Sequence, residues 1–416
     1  MKVLILGCGP AGLLLALLLA KNGVEVALVE KAAELHKQSR ATHYAAPAVY
    51  ELARAGVLEE IYAGGFIPSG VCWRKLDGTR LTGIVAKGVI PDDYPYRMVC
   101  YPLDKLGPLL LKHVENLPNV QIRWSYRVTQ IGQDAESAWI EGETPEGTQR
   151  LTADYLVGCD GANSVVRRRL FGDSEFPGFT WDEQIVATNT RYDFDQFGWE
   201  DSNFIVHPEH YFMAARISPH RGKDTLWRVT YGELPGLTKE QLIERQPDKF
   251  RTFLPGHPEP DQYKIENFSP YKIHQRCAEC LRVGRILLAA DAGHLCTPFG
   301  GLGLTGGIAD VGGLYDCFIG IQQGLTDDSI LDHYDRVRRD IYDTVINPLS
   351  CENFTRLHKQ HPETALDNDS FFKICLKGEA DKESSKDMQL VIKYLLQHDF
   401  SQYYNEKVVG KTGIQS

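Results

Sequence analysis

Three stretches of this sequence bring together residue types that do chemistry at a spacing that matters. The first is Gly7-Cys8-Gly9-Pro10-Ala11-Gly12. Gly7 permits a tight turn, Gly9 lets the backbone come close to a pyrophosphate, and Gly12 lets a helix pack tightly on a strand. A pyrophosphate held there would meet the positive end of that helix. Glu30 lies eighteen residues after Gly12, where a carboxylate accepts hydrogen bonds from the adenosine ribose hydroxyls. The pattern binds a dinucleotide, and by itself does not separate a flavin from a nicotinamide.

The second stretch is Asp160-Gly161-Ala162-Asn163-Ser164-Val165-Val166-Arg167. It follows an apolar run and reads as an acid–glycine turn, with Ser164 placed to cap a helix. The third runs from Gly284 through Asp291 and His294 to Pro298-Phe-Gly-Gly301-Leu302-Gly303-Leu304-Thr305. An Asp closing a buried strand is costly unless polar groups bond to it, and cofactor hydroxyls would do so. The glycines after it let backbone run beside a flat ring. A helix starting there would face developing negative charge with its positive end.

These positions need elements to hold them. Residues 2–6 read as a buried parallel strand, 11–21 as an apolar helix ended by Asn22-Gly23, and 24–29 as a second strand: a βαβ opening, and so an α/β class. Residues 102–117 read as a helix. Val120, Ile122, Trp124, Tyr126 and Val128 alternate with more polar positions and predict one half-buried strand. Residues 137–141 and 150–157 extend it into a small antiparallel meander. From about 180 to 270 the pattern is strands and turns: 185–192, 203–207, 211–217 and 225–233. Residues 282–289 return to a buried strand, and beyond about 325 the chain reads as helices.

Composition narrows the classes. The chain has 416 residues, 43% hydrophobic and 24% charged, enough for two or three domains. A net charge of −10 argues against nucleic acid as the partner, with Arg167-Arg168-Arg169 the only dense basic spot. Ten cysteines in this length do not make a disulfide scaffold, and the lone Cys277/Cys280 pair is a weak zinc signal, so no metal is expected. The apolar stretch after Lys2 looks like a leader peptide, but its glycines and Pro10 belong to the fingerprint, so that reading is rejected. No later segment has the uninterrupted apolar length of a membrane span, and the expected location is cytoplasmic.

The three motifs, in this order and at these separations, resemble the class A flavin-dependent monooxygenases, the para-hydroxybenzoate hydroxylase-like family. The likeness spans about residues 1–345. Around Gly300 to Gly313 the text is most similar to fungal members acting on natural products, phenol hydroxylases and indole-alkaloid epoxidases. The resemblance implies a Rossmann-like FAD-binding domain of the GR2 type (1–70, 100–178 and 275–345). An inserted mixed or antiparallel β-sheet substrate domain (71–99 and 179–274) and a C-terminal helical region (346–416) complete it. It implies that Gly7, Gly9, Gly12 and Glu30 hold the ADP half of FAD, with Pro10, Ala11, Lys31 and Val128 also binding the cofactor. Arg40 would lie beside the flavin, and Asp160 and Gly161 would serve both FAD and the nicotinamide. Asp291 would meet the ribityl chain, Pro298, Gly301, Leu302 and Gly303 would line the isoalloxazine, and Leu304 would also bind the cofactor. The chain departs from the family pattern at Ala290, usually Gly, and at Thr305, often Asn. Near Leu103 it has no arginine to touch the cofactor, and it has no second glycine fingerprint for NAD(P)H.

By resemblance, NAD(P)H reduces FAD, dioxygen adds to the reduced flavin, and the hydroperoxide gives one oxygen to an electron-rich ring. The outcome would be phenol hydroxylation or indole 2,3-epoxidation in secondary metabolism, by a monomer or homodimer. Such a site must exclude water and raise the ring's nucleophilicity. Arg191 is a candidate to supply a cation to a phenolate or to the leaving peroxide, the alternative being a surface arginine at a strand end; Tyr231 is a second catalytic candidate, with packing as its more ordinary role. Tyr211 and Phe212 read as core more than as stacking partners. His43 and His294 lie near the flavin motifs, His294 with a structural hydrogen bond. Two rival readings are a reductase or oxidase of the same fold without oxygen transfer, and a non-catalytic nucleotide-binding protein. No W-x-W-x-I-P halogenase motif occurs.

Overall fold

The computed structural model describes residues 1–35, 41–91 and 93–404. Strand β1 (Lys2–Leu6), helix α1 (Pro10–Lys21) and strand β2 (Glu25–Val29) open the chain as read. β1 pairs in parallel with β2 on one side and with Tyr155–Gly158 on the other. The sheet has six strands, in the order 282–283, 286–288, 155–158, β1, β2, 120–123. All its pairings are parallel except the edge pair 282–283 with 286–288.

α1 explains the apolar N-terminal stretch. Every residue from Ala11 to Ala20 is buried, because helices Leu103–Glu115 and Leu302–Gln322 pack on it as well as the sheet. A helix apolar all round is one covered all round. Each fully buried leucine among Leu13–Leu19 contributes about 2 kcal/mol.

Two expected strands divide. Val120–Val128 is broken at Ser125, which adopts a left-handed φ of 55°. Its first half, Val120–Arg123, joins the parallel sheet, and the second, Arg127–Gln133, joins a three-stranded antiparallel meander with Ala138–Thr144 and Gly147–Ala153. Likewise, 150–157 splits between the meander and the parallel strand Tyr155–Gly158.

The region from residue 178 joins two earlier strands in an eight-stranded sheet, in the order 294–295, 264–277, 178–191, 226–233, 212–216, 202–205, 70–74, 80–85. All neighbours are antiparallel except 202–205 with 70–74. Two of its elements escape the pattern reading: helix Lys239–Phe253 and strand Lys264–Cys277. Helix Lys239–Phe253 buries Leu242, Phe250 and Phe253 against one face of the sheet, in a core with Trp227, Val229 and Tyr231. The opposite face looks toward the parallel sheet. No helix among the described residues is long and apolar enough to cross a membrane.

Candidate active site

A cleft of about 2390 Å³ lies between the ends of the parallel strands and the large sheet. Pockets for one small molecule run to about 300–1,000 Å³, so this cleft has room for a dinucleotide and a substrate together.

At its first end, Gly7 leaves β1 with φ 109° and donates its N–H to Val29 O at 2.8 Å. Gly12 packs directly under that turn: a Cβ on it would lie 2.0 Å from Gly7 O. A Cβ on Gly9 would meet nothing within 4 Å, because Gly9 opens onto the cleft. α1 begins there with no side-chain cap, leaving its first N–H groups to whatever lies in front of them. Glu30 is pinned at the end of β2 by the N–H groups of Cys8 and Ala32, each at 3.0 Å. Pro10, Ala11, Lys31 and Val128 also line this end.

In the middle, Asp160 accepts from the N–H groups of Val165 (2.6 Å) and Val166 (3.3 Å). Burial pushes its carboxyl up, against the pull of Ser164 and those two N–H groups. Its Oδ1 is buried and has no partner among the described residues. Gly161 beside it takes φ 77°, and both line the cleft. Ser164 caps the helix Val165–Phe171, as its position predicts. Arg167, read from the sequence as part of a basic spot, is instead buried. It donates to Ala292 O (2.9 Å) and Ala162 O (2.8 Å) and lies over the Phe176 ring, which ties the second motif to the third.

At the far end, Asp291 stands exposed on the cleft wall. The turn Pro298–Gly300 and Gly301 (φ 63°, nothing within 4 Å of an added Cβ) lead into helix Leu302–Gln322. That helix also starts without a side-chain cap, and Leu302, Gly303 and Leu304 line the cleft. Thr305 is buried, its hydroxyl facing the N–H of Ala45 at 3.5 Å. His294 has the structural bond expected of it, to Asp310 at 2.7 Å. Arg40 lies outside the described residues. Among those described, no group of three or more His, Cys, Asp or Glu is placed to hold a metal.

The large sheet walls the other side, and the period of two along a strand decides what it presents. Arg228 and Thr230 line the cleft, as do Met213 and Ala215, Ser202 and Phe204, Val71 and Trp73. Tyr231 therefore points away. Its side chain is fully buried against Phe250 and Phe253, and its hydroxyl has no partner among the described residues. Arg191 is also absent from the cleft. At the end of its strand it donates to Glu266 (2.7 Å) and to Asp224 O (2.5 Å). Neither side chain lines the cleft: Arg191 takes the strand-end surface role and Tyr231 the packing role. Tyr231→Phe removes an unpartnered buried hydroxyl and is expected to leave turnover intact and the melting temperature equal or slightly higher. Arg191→Ala is expected to change kcat by less than about twofold, because a half-exposed ion pair contributes little. Steady-state assays and thermal unfolding of the two variants check both. Tyr211 packs against Phe299 and Phe354, and Phe212 against Phe253, as core residues.

A cation that does face the cleft is Arg228, paired across the strands with Asn189 and donating to its Oδ1 at 2.7 Å. Burial lowers its pKa, with Tyr271 and Asp104 pulling the other way. Tyr271, 37% exposed, lines the same wall. His43 stands opposite on the short strand His43–Tyr44, its Nδ1 2.8 Å from Thr42 Oγ1 and its Nε2 without a partner among the described residues. Desolvation holds His43 down at about 4, with Asp201 raising it and Arg216 and Arg228 lowering it. It is therefore neutral near pH 7. One sequence signal could have found Arg228: in Trp227-Arg-Val-Thr-Tyr231 the polar residues alternate with the apolar ones.

The geometry fits a long dinucleotide ending in a flat ring. Two uncapped helix starts, open glycines and one orphaned carboxylate oxygen all face one continuous cleft. A family model for an FAD binding domain matches residues 1–347. The chain is 34% identical to a para-nitrophenol 4-monooxygenase of Pseudomonas sp. (strain WBC-3), over 98% of this chain and 97% of that one. It is 35% identical to a 6-hydroxy-3-succinoylpyridine 3-monooxygenase of Pseudomonas putida (strain DSM 28022 / S16), over 87% and 90%. The crystal structure of a p-nitrophenol 4-monooxygenase from Pseudomonas putida DLL-E4 superposes with a TM-score of 0.88 at 32% identity, covering 95% of this chain and 98% of that one.

Proposed function

Since this chain belongs to the FAD binding domain family and is an FAD-dependent aromatic monooxygenase, we propose that its substrate is a small phenol held as the phenolate, hydroxylated on the ring. The observation that carries this reading is Arg228, a half-buried guanidinium facing the cleft beside Trp73, Phe204 and Met213. In low dielectric an opposite charge strongly favours the ionised form of a phenol, and ionisation enriches the ring that must attack. Neutral His43 offers its Nε2 to the same region, and the aromatic side chains exclude water around the ring. The relatives named for a nitrophenol and a hydroxypyridine support a hydroxylated ring more than indole epoxidation.

Bound FAD, reduced by NAD(P)H, supplies the activation of dioxygen. In this reading Gly7, Gly9, Gly12 and Glu30 hold its ADP half, Asp160 and Gly161 the middle, Asp291 the ribityl chain, and Pro298 to Leu304 the ring. The inserted β-sheet domain (71–99 and 179–274) recognises substrate, and the protein works in the cytoplasm.

The test is aerobic NAD(P)H oxidation against a panel of phenols, hydroxypyridines and indoles under ¹⁸O₂, with products read by mass. A phenol that speeds oxidation and gains one ¹⁸O is the expected result. Oxidation that yields only hydrogen peroxide with every phenol, or oxygen insertion confined to indoles, would overturn the reading.

A further inference from the structure

Deep behind the cofactor end of the cleft lies a charge cluster that touches neither substrate nor open cleft. Asp310, on helix Leu302–Gln322, is fully buried, as are His294 and Arg338. Its Oδ2 accepts from His294 Nε2 (2.7 Å) and from the N–H of Ala290 (2.9 Å), and its Oδ1 from Arg338 Nε (2.6 Å). Burial alone would raise this carboxyl, but His294 and Arg338 overcome that and hold it down at about 2. Arg338 spends its other donors on Gly306 O (3.2 Å) and on Leu396 O (2.6 Å) at the end of helix Lys382–Leu396.

The backbone N–H in this cluster belongs to a strained residue. Ala290 has φ 56°, one of three non-glycine residues with positive φ among those described. An L-residue avoids this conformation unless its surroundings impose it. Glycine is the residue that takes this conformation freely, and this chain holds it with a methyl added. The methyl fits because residue 307 is Gly: a Cβ there would lie 2.6 Å from the Ala290 Cβ. Ala290 immediately precedes Asp291, and its backbone sets where that carboxylate points.

We propose that Asp310 is a positioning residue that clamps Ala290 in the left-handed conformation and thereby aims Asp291 at the cofactor. The proposal rests on the reading that Asp291 holds FAD. His294 and Arg338 keep the clamp charged and fixed, and Arg338 links it to the C-terminal helices. A substitution at Asp310 acts on FAD through the backbone of Ala290, without touching FAD.

The experiment follows FAD release from the purified holoprotein on dilution, by the recovery of free-flavin fluorescence, together with thermal unfolding. Asp310→Asn is expected to weaken FAD binding at least about tenfold, the scale of a misplaced contact. Ala290→Gly in the same chain is expected to restore most of that loss, because glycine needs no clamp to hold a positive φ. A double variant as weak as Asp310→Asn would overturn the clamp. Asp291→Ala separates the underlying reading: if it retains FAD as the parent does, Asp291 is no contact and the proposal falls with it. If it loses FAD while Asp310→Asn does not, only the clamp falls. Should Asp310→Asn fail to fold, Ala290→Gly and Ala290→Val alone decide. Gly is expected to hold FAD at least as tightly as the parent, and the β-branched Val more weakly. The reverse order would overturn the proposal.

Discussion

Gly12→Ala is expected to give protein that purifies colourless and melts far below the parent, while Gly9→Ala, three residues earlier, keeps its fold and loses only FAD affinity. The added methyl at 12 would sit 2.0 Å from Gly7 O, a backbone atom with nowhere to retreat. Gly7 is bonded through its N–H to Val29 O, and its own Cβ direction is blocked by Cys159 O at 2.5 Å. α1 must therefore move away from β1. It cannot do so without parting from helices Leu103–Glu115 and Leu302–Gln322, which bury Leu13 to Leu19 with it. Overpacking of this kind costs about 1–3 kcal/mol where neighbours yield, and more where they cannot. Whole domains hold only about 5–15 kcal/mol. At Gly9 no atom lies within 4 Å, so a methyl there meets only what enters the cleft. Thermal unfolding and the flavin absorbance retained through gel filtration check the pair. A yellow, normally melting Gly12→Ala protein would sink the close-packing account of the fingerprint.

That contrast also shows what the sequence made legible. The cofactor motifs are local. A strand, a glycine turn and a helix start occupy consecutive residues, so these motifs could be located before any fold was known, and Gly7, Gly9, Glu30, Asp160, Gly161, Asp291 and Pro298 to Leu304 line one cleft. Gly12 sits under the turn instead, in its packing role. The substrate wall was not legible in the same way, because its residues are chosen by strand face. Tyr231 and Arg228 are three residues apart on one strand, and so lie on opposite faces. Both faces are covered, one by helix Lys239–Phe253 and the other by the cleft, so hydrophobicity alone did not say which was which. The helix itself was hidden by Pro247 and its polar outer face, and strand Lys264–Cys277 by Pro270. At Ser125 the alternation of side chains runs on through a backbone break that only a left-handed φ reveals. The Asp310 cluster joins residues from Ala290 to Leu396, and no local pattern announces it.

Arg228→Met should produce the second large effect: a fall in kcat/KM for phenols of about 30- to 1,000-fold with FAD still bound. Methionine keeps much of the length and removes the charge. Loss of one partner of a buried, hydrogen-bonded charge pair costs about 2–4 kcal/mol, and each 1.4 kcal/mol is about tenfold. Here the missing partner is the phenolate that forms when substrate binds. Arg228→Lys keeps a cation but not the planar donors that now meet Asn189, so it should fall between the two. Because a nearby cation lowers the pKa of a bound phenol, 4-nitrophenol serves as a probe. The parent should bind it as the yellow phenolate at a pH where it is neutral in solution, and Arg228→Met should not. Arg191→Ala, with its guanidinium spent on Glu266 outside the cleft, should bind the probe as the parent does. Full turnover and an unshifted probe spectrum in Arg228→Met would remove Arg228 from substrate recognition. They would leave neutral His43 and Tyr271 as the next groups to test for contact with the ring oxygen.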